Sequence, residues 1–291
     1  MTIIEKMQAT TSNQVILTHS LKRVNYEEHT LLLITHPKCH AAISLQGGHL
    51  LYWQPTGENT PIIWLSENAQ FKKHVAIRGG MPICWPWFGQ AGNPAHGFAR
   101  IVDWTLQSHQ ETENGIDIVL CLTANEQTQP YWQNDFELSL HLHLGETCSA
   151  ELTSLGNFDA TSALHTYFGI DDISHTTVSG LGENYIEKLS TENIPSIAGK
   201  MRFNQEVDRI YTQADAITLI NDNHRTIEIT HHNYSDVVVW NPWTEKSKTI
   251  KDLQENSYRH FVCAETCRIN QPIHSTSQQK TPYGVKIAVI K

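Results

Sequence analysis

The stretch FELSLHLHL, residues 136–144, alternates without a break: Phe136, Leu138, Leu140, Leu142 and Leu144 fall on one side, Glu137, Ser139, His141 and His143 on the other. Strict period-two alternation is the pattern of a strand with one face in a core and the other facing water. The neighbouring IDIVLCL (116–122) repeats it with Ile116, Ile118, Leu120 and Leu122, and TIEIT (226–230), DVVVW (236–240) and VKIAVI (285–290) read the same way. Clusters of Gly, Asn, Asp and Pro separate these runs, as in QPTGENTP, ETENG, INDNH and TPYG, which are turn formers. Helical periodicity is almost absent, and only SENAQFKK (66–73) suggests one or two helical turns. The expectation is an all-β chain of mainly antiparallel strands forming one large sandwich domain over residues 1–291, with a ligand held on a concave face or in rim loops.

The chain of 291 residues carries 21 basic and 30 acidic residues, for a formal charge of -9. That balance argues against nonspecific binding to nucleic acid or an anionic membrane. An anionic small molecule would need a local basic pocket. The apolar runs are too short to span a bilayer, and the opening MTIIEKMQATTSNQ lacks a signal-peptide apolar core. Six scattered cysteines with no CxxC pair are expected to be free thiols in a reducing cytoplasm.

Chemistry concentrates in a few places. Arg78 precedes Gly79 and Gly80, and Arg100 ends HGFAR. A guanidinium suits bidentate contact with phosphate or carboxylate, and adjacent glycines would let backbone approach a ligand. Structural arginines are the alternative. Trp85, Trp87, Trp104, Trp240 and Trp243 could wall a sugar pocket or simply pack a core. In VVVWNPW, Asn241 and Pro242 break the strand just where its aromatics end. His165 in SALHTYFGI and Glu265 in FVCAETCRI are polar residues inside apolar strand-like runs. Such groups cost free energy unless hydrogen-bonded or functional. Asp208 in EVDRIY poses the same question more weakly. His141, His143 and Glu146 in HLHLGE resemble part of a cupin metal motif, but Glu146 comes early and the histidines fill the polar face of an alternating strand. P-loop, GxSxG and GxGxxG patterns are missing.

Taken together, IRGGMPICWPWFG, PAHGFAR, LHTYF, EVDRIY, VVVWNPW and FVCAET, in this order, resemble the glucose-6-phosphate 1-epimerases, hexose-6-phosphate mutarotases of the aldose 1-epimerase superfamily. The resemblance runs from about Leu31 to Thr266 and implies the galactose-mutarotase-like supersandwich. It also implies cofactor-free interconversion of the anomers of a hexose 6-phosphate, with no metal. By the same resemblance His165 matches the catalytic acid and Glu265 the base. Arg78, Arg100 and Asp208 match sugar- and phosphate-binding positions, and His96 a further active-site histidine. Ala95 stands where some relatives carry a polar contact residue. The tail IHSTSQQKTPYG also departs from the pattern. Lys72, Lys73 and Arg209 are the other basic residues considered for the phosphate. The expected partner is a small sugar phosphate, and the expected state a monomer. Two readings from other classes compete: a sugar-phosphate-binding or regulatory protein with the same pocket, and a metal-dependent cupin-type isomerase built on His141 and His143.

Overall fold

The structure is a computed structural model that describes residues 1–189 and 200–290. The alternating stretch forms the Phe136–Gly145 strand, paired on one side with Gly115–Thr123 and on the other with Cys148–Gly156. The register places Leu122, Leu120, Ile118 and Ile116 opposite Leu138, Leu140, Leu142 and Leu144. All eight are buried. Each such side chain contributes about 1.5–3 kcal/mol by leaving water, and a one-residue slip would turn the whole set outward.

These strands belong to a nine-stranded sheet in the order Met201–Arg202, Thr177–Ser179, Ile217–Asn221, Thr226–His232, Thr281–Ile290, Cys148–Gly156, Phe136–Gly145, Gly115–Thr123 and Thr105–Thr112. A seven-stranded sheet runs Tyr185–Glu187, Val207–Tyr211, Asp236–Asn241, Phe261–Ser275, Phe158–Leu164 and Ile83–Cys84, with Tyr167–Gly169 also paired to Phe261–Ser275. A five-stranded sheet covers Val15–Pro55 in sequential order. Every strand pair in the three sheets is antiparallel, as the alternation predicts.

The seven-stranded sheet is buried on both faces. Val207, Tyr211, Val237, Val239, Val262 and Ala264 join the main core shared with the nine-stranded sheet. Ile210, Val238 and Cys267 form part of a separate cluster on the opposite face, and Cys263 with Trp240 part of another. It is this second face that carries the chemistry described below.

Two features of the sequence reading change. Residues 66–73 form turns rather than a helix. A short helix appears instead at Ile3–Ala9, closed by a capping box between Thr2 and Glu5 and docked by Ile3 and Met7 on the five-stranded sheet. Its seven residues are too few to show a clear helical period. Among the described residues no helix is long and apolar enough to cross a membrane, and all six cysteines are free.

Candidate active site

Strand pairing builds the site one residue per strand. Trp240 lies opposite both Asp208 and Cys263, and Cys263 opposite Tyr167. Partners in an antiparallel register share a face. Asp208, Trp240, Cys263 and Tyr167 therefore form a row across the sheet, and Glu265, two residues beyond Cys263, projects from the same face. The Phe158–Leu164 strand ends just before His165, whose backbone N–H donates to the carbonyl of Pro82 at 3.0 Å. The imidazole stacks on Tyr167, with ring centroids 5.1 Å apart and planes at 15°. It meets His96 and Trp240 edge-on at 5.6 and 6.2 Å.

His165 Nε2 lies 3.2 Å from Glu265 Oε1. Glu265 is 1 % exposed. Burial pushes its carboxyl well above the usual range, assisted by the negative charge of Asp208 and opposed by Arg100. Burial also drives His165 well below its usual value, and His96, Arg100 and Arg78 push the same way. Burial thus favours the uncharged form of each group. The other ends of the two groups, His165 Nδ1 and Glu265 Oε2, are buried without a hydrogen-bond partner in the described structure. Unpaired buried polar atoms are costly and mark positions where a ligand can supply the missing bond.

The arginines named from sequence converge on this pair. Arg78 donates from Nε to Asp252 Oδ1 at 3.1 Å and from Nη1 to the Tyr167 hydroxyl at 3.0 Å. Arg100 donates from Nη2 to the carbonyl of Ala95 at 2.7 Å, while its buried Nε has no partner. A main-chain oxygen thus orients Arg100. His96 accepts from the Gly89 N–H at Nδ1, 3.4 Å away, which leaves Nε2 to carry the proton. Burial, then Arg100, Arg78 and Lys188, lower His96 to about 3, so it is a neutral donor. Asp208 is half-buried, and burial raises its carboxyl above the usual value.

Other expectations change. Gly79 and Gly80 do not open a path for a ligand. A Cβ on Gly79 would lie 2.7 Å from Leu65 Cα, and one on Gly80 2.4 Å from His49 Nε2, with both residues at positive φ. They let the arginine loop pack against neighbouring chain. Trp85 is buried in the core against Phe98, Phe136 and Phe158, and Trp104 is buried with its Nε1 on the Ala99 carbonyl. Trp87 donates to the Pro94 carbonyl at 2.7 Å and packs on Phe98. Trp243 packs on Tyr258. Of the five, Trp240 alone contacts His165. Asn241 does end its strand, accepting the Trp243 N–H and donating to the Tyr258 and Phe261 carbonyls. Arg209 lies on the opposite face, bonded to Glu187 at 2.8 Å, and Lys73 pairs with Asp103.

His141 and His143 lie on the outer face of the nine-stranded sheet, both against Asp117 Oδ1, at 3.4 and 3.0 Å. Glu146 pairs with Lys38. Among the described residues the one group of three close metal-type side chains is His165, Cys263 and Glu265; His141 and His143 are not in it. The cupin-type reading has no support in this geometry. Sequence reasoning missed Tyr167 and Asp252, which hold Arg78. Tyr167 had a signal, two residues after His165 in LHTYF. Asp252, 174 residues from Arg78, had none.

Comparison with known proteins follows the same line. A family model described as Aldose 1-epimerase matches residues 30–288. Two curated proteins, each named "Putative glucose-6-phosphate 1-epimerase", are similar over most of their length. The one from Salmonella typhimurium is 40% identical over 281 residues, covering 94% of this chain and 95% of that protein. The one from Escherichia coli is 41% identical over 278 residues, covering 93% and 94%. A crystal structure of a "putative mutarotase" from Salmonella typhimurium superposes with a TM-score of 0.96 at 39% identity, covering 99% of both chains.

Proposed function

The chain belongs to the aldose 1-epimerase family, and from that premise we propose that it is a glucose-6-phosphate 1-epimerase, an isomerase that interconverts the α and β anomers of D-glucose 6-phosphate. The observation that carries the reading is the His165–Glu265 pair at 3.2 Å, flanked by two arginines. The matching names of the similar curated proteins supply the substrate.

Mutarotation needs one proton removed from the C1 hydroxyl and one delivered to the ring oxygen O5. Both oxygens are bonded to C1, so two side-chain atoms 3.2 Å apart can address them together. The pair holds one mobile proton, on Glu265 when both groups are neutral and on His165 when they form a carboxylate–imidazolium pair. Transfer along the Oε1–Nε2 contact interconverts the two without exchange with solvent. In the charged form Glu265 takes the C1 hydroxyl proton while His165 protonates O5. The C1–O5 bond breaks, leaving an open-chain aldehyde with a hydroxyl at C5. Rotation about C1–C2 presents the other face of the aldehyde. In closure the C5 hydroxyl returns its proton to His165, its oxygen attacks C1, and Glu265 reprotonates the C1 oxygen. The proton count is restored and the other anomer leaves.

In this scheme His96 donates from Nε2 to an oxygen that gains charge. Asp208 accepts bonds from ring hydroxyls beside the Trp240 indole. Arg78 and Arg100 supply the affinity for an anion that a chain of charge -9 lacks overall. The whole chain acts as one catalytic unit in the cytoplasm, as a monomer, with no nucleic-acid partner. The test is exchange NMR on equilibrated hexose 6-phosphates and the corresponding free hexoses. Enzyme-dependent exchange between the anomeric C1–H signals of glucose 6-phosphate supports the reading. Exchange of free hexoses only would assign the fold to neutral sugars.

A further inference from the structure

The row of side chains on the active face does not stop at Asp208. Tyr185–Glu187 pairs with Val207–Tyr211 in the register Tyr185 to Tyr211, Ile186 to Ile210 and Glu187 to Arg209. The next step of that register sets Lys188 opposite Asp208. The backbone agrees, since the Lys188 N–H donates to the Asp208 carbonyl at 2.9 Å. Lys188 therefore shares the face of Asp208, Trp240, Cys263 and Tyr167, at the outer end of the row. With strands about 4.8 Å apart, its backbone stands roughly 14 Å from that of the Glu265 strand. A four-carbon stem carries the ammonium back over the intervening surface.

Two further observations place that charge. Lys188 is exposed, and among the described residues it forms no ion pair within bonding distance. Its field nevertheless acts on both Asp208 and His96. His96 is also where the fields of Arg100 and Arg78 overlap. An anion beside His96 is thus attracted by three cationic side chains. Arg78 is already bonded to Asp252 and Tyr167, and Arg100 spends one nitrogen on Ala95. Among the described residues the ammonium of Lys188 has no comparable commitment.

We propose that Lys188 is a specificity-determining residue that contacts the phosphate of the sugar phosphate in the space beside His96 and Asp208. This rests on the reading given under Proposed function. It adds a residue from the edge of the sheet to a subsite otherwise made by Arg78 and Arg100. Lysine acts there as a mobile point charge, strengthening the hold on the anion without fixing its orientation.

The test compares wild-type protein with Lys188→Gln, Lys188→Arg and, as a control for the general field, Lys246→Gln. Lys246 also acts on Asp208 but sits on the exposed Trp243–Thr249 helix, off the row. Two quantities are read: KM for glucose 6-phosphate by anomer exchange, and the dissociation constant of inorganic phosphate by 31P NMR. Lys188→Gln is expected to raise both by about three- to fivefold, at the upper end for an exposed charge contact, with kcat changing far less. Lys188→Arg is expected to retain most of the affinity, and Lys246→Gln to have a smaller effect than Lys188→Gln. Values within twofold of wild type, a fall in kcat with KM unchanged, or equal effects of Lys188→Gln and Lys246→Gln would each overturn the proposal. If wild-type protein turns over no hexose 6-phosphate, the functional reading fails separately, and the phosphate-binding arm still decides whether Lys188 holds the anion.

Discussion

His165 Nε2 and Glu265 Oε1 face each other at 3.2 Å in a pocket where burial favours the neutral form of both. In the proposed scheme the two groups act as one proton-carrying unit. The first prediction is that each member is needed. His165→Ala and Glu265→Gln are each expected to lower kcat by roughly 10²–10⁴-fold while leaving the circular dichroism spectrum unchanged. A folded variant that exchanges anomers at the wild-type rate would remove that residue from the chemistry.

The pH dependence follows from the same pair. It is active with one proton and inactive with two or none. His165 titrates below its ordinary value, so gain of the second proton sets the acid limb. Glu265 titrates above its ordinary value, so loss of the last proton sets the alkaline limb. This reverses the assignment expected from unperturbed groups, in which the carboxylate governs the acid side. Profiles of kcat at saturating substrate are predicted to be bell-shaped, with the acid limb below the ordinary imidazole value and the alkaline limb above the ordinary carboxylate value. A single limb near the ordinary imidazole value, with activity lost above it, would contradict the shared-proton account.

Arg100 and Arg78 are predicted to act on affinity. Charge-assisted bonds contribute about 1.5–3 kcal/mol each, so Arg100→Ala and Arg78→Ala should raise KM for glucose 6-phosphate by about ten- to a hundredfold. Raising the salt concentration should weaken binding of the phosphorylated sugar more than that of the free sugar. Equal losses on both sugars would assign these arginines to the ring or to the scaffold.

Acid lability has a separate source. His49 is buried and depressed to about 3, chiefly by desolvation, and His231 to about 4 for the same reason. Both folded values lie below the unfolded one, so their contribution is present above about pH 6.5 and is lost as pH falls toward the folded values. These two groups alone take up two protons on unfolding, a contribution of up to about 2.7 kcal/mol per pH unit near pH 5, and the depressed His96 and His165 act in the same direction. Urea denaturation between pH 7 and pH 4.5 measures it, and a pH-independent midpoint would contradict it.

Gly80→Ala tests the arginine loop. At φ +71, with a Cβ placed 2.5 Å from the Leu50 carbonyl oxygen, alanine cannot be accommodated without moving chain. A loss of at least about 2 kcal/mol in urea is predicted. Wild-type stability would mean that the loop has room to relax.

Much of this was written in local pattern. The Phe136–Gly145 strand faces as its alternation requires, because burial of one side fixes its register. His165 and Glu265 stood out because each interrupts an apolar run, and the structure brings them together from segments far apart in the chain. What local pattern does not carry is the contact between distant segments. Asp252 and Tyr167 hold Arg78 through bonds spanning 174 and 89 residues, and Lys188 enters the active face only through cross-strand register. The role of Gly79 and Gly80 was misjudged for the same reason. A Gly-Gly pair signals close approach, but whether to a ligand or to Leu65 and His49 depends on tertiary packing.

The central claim is tested most directly by two-dimensional exchange NMR on the C1–H signals of glucose 6-phosphate, with wild-type protein and Glu265→Gln at equal concentration. Cross-peaks between the α and β signals are predicted to build up with wild-type protein and to fall to the uncatalysed level with the variant. Equal cross-peaks in both samples, or none with wild-type protein, would contradict the assignment of anomer exchange to the His165–Glu265 pair.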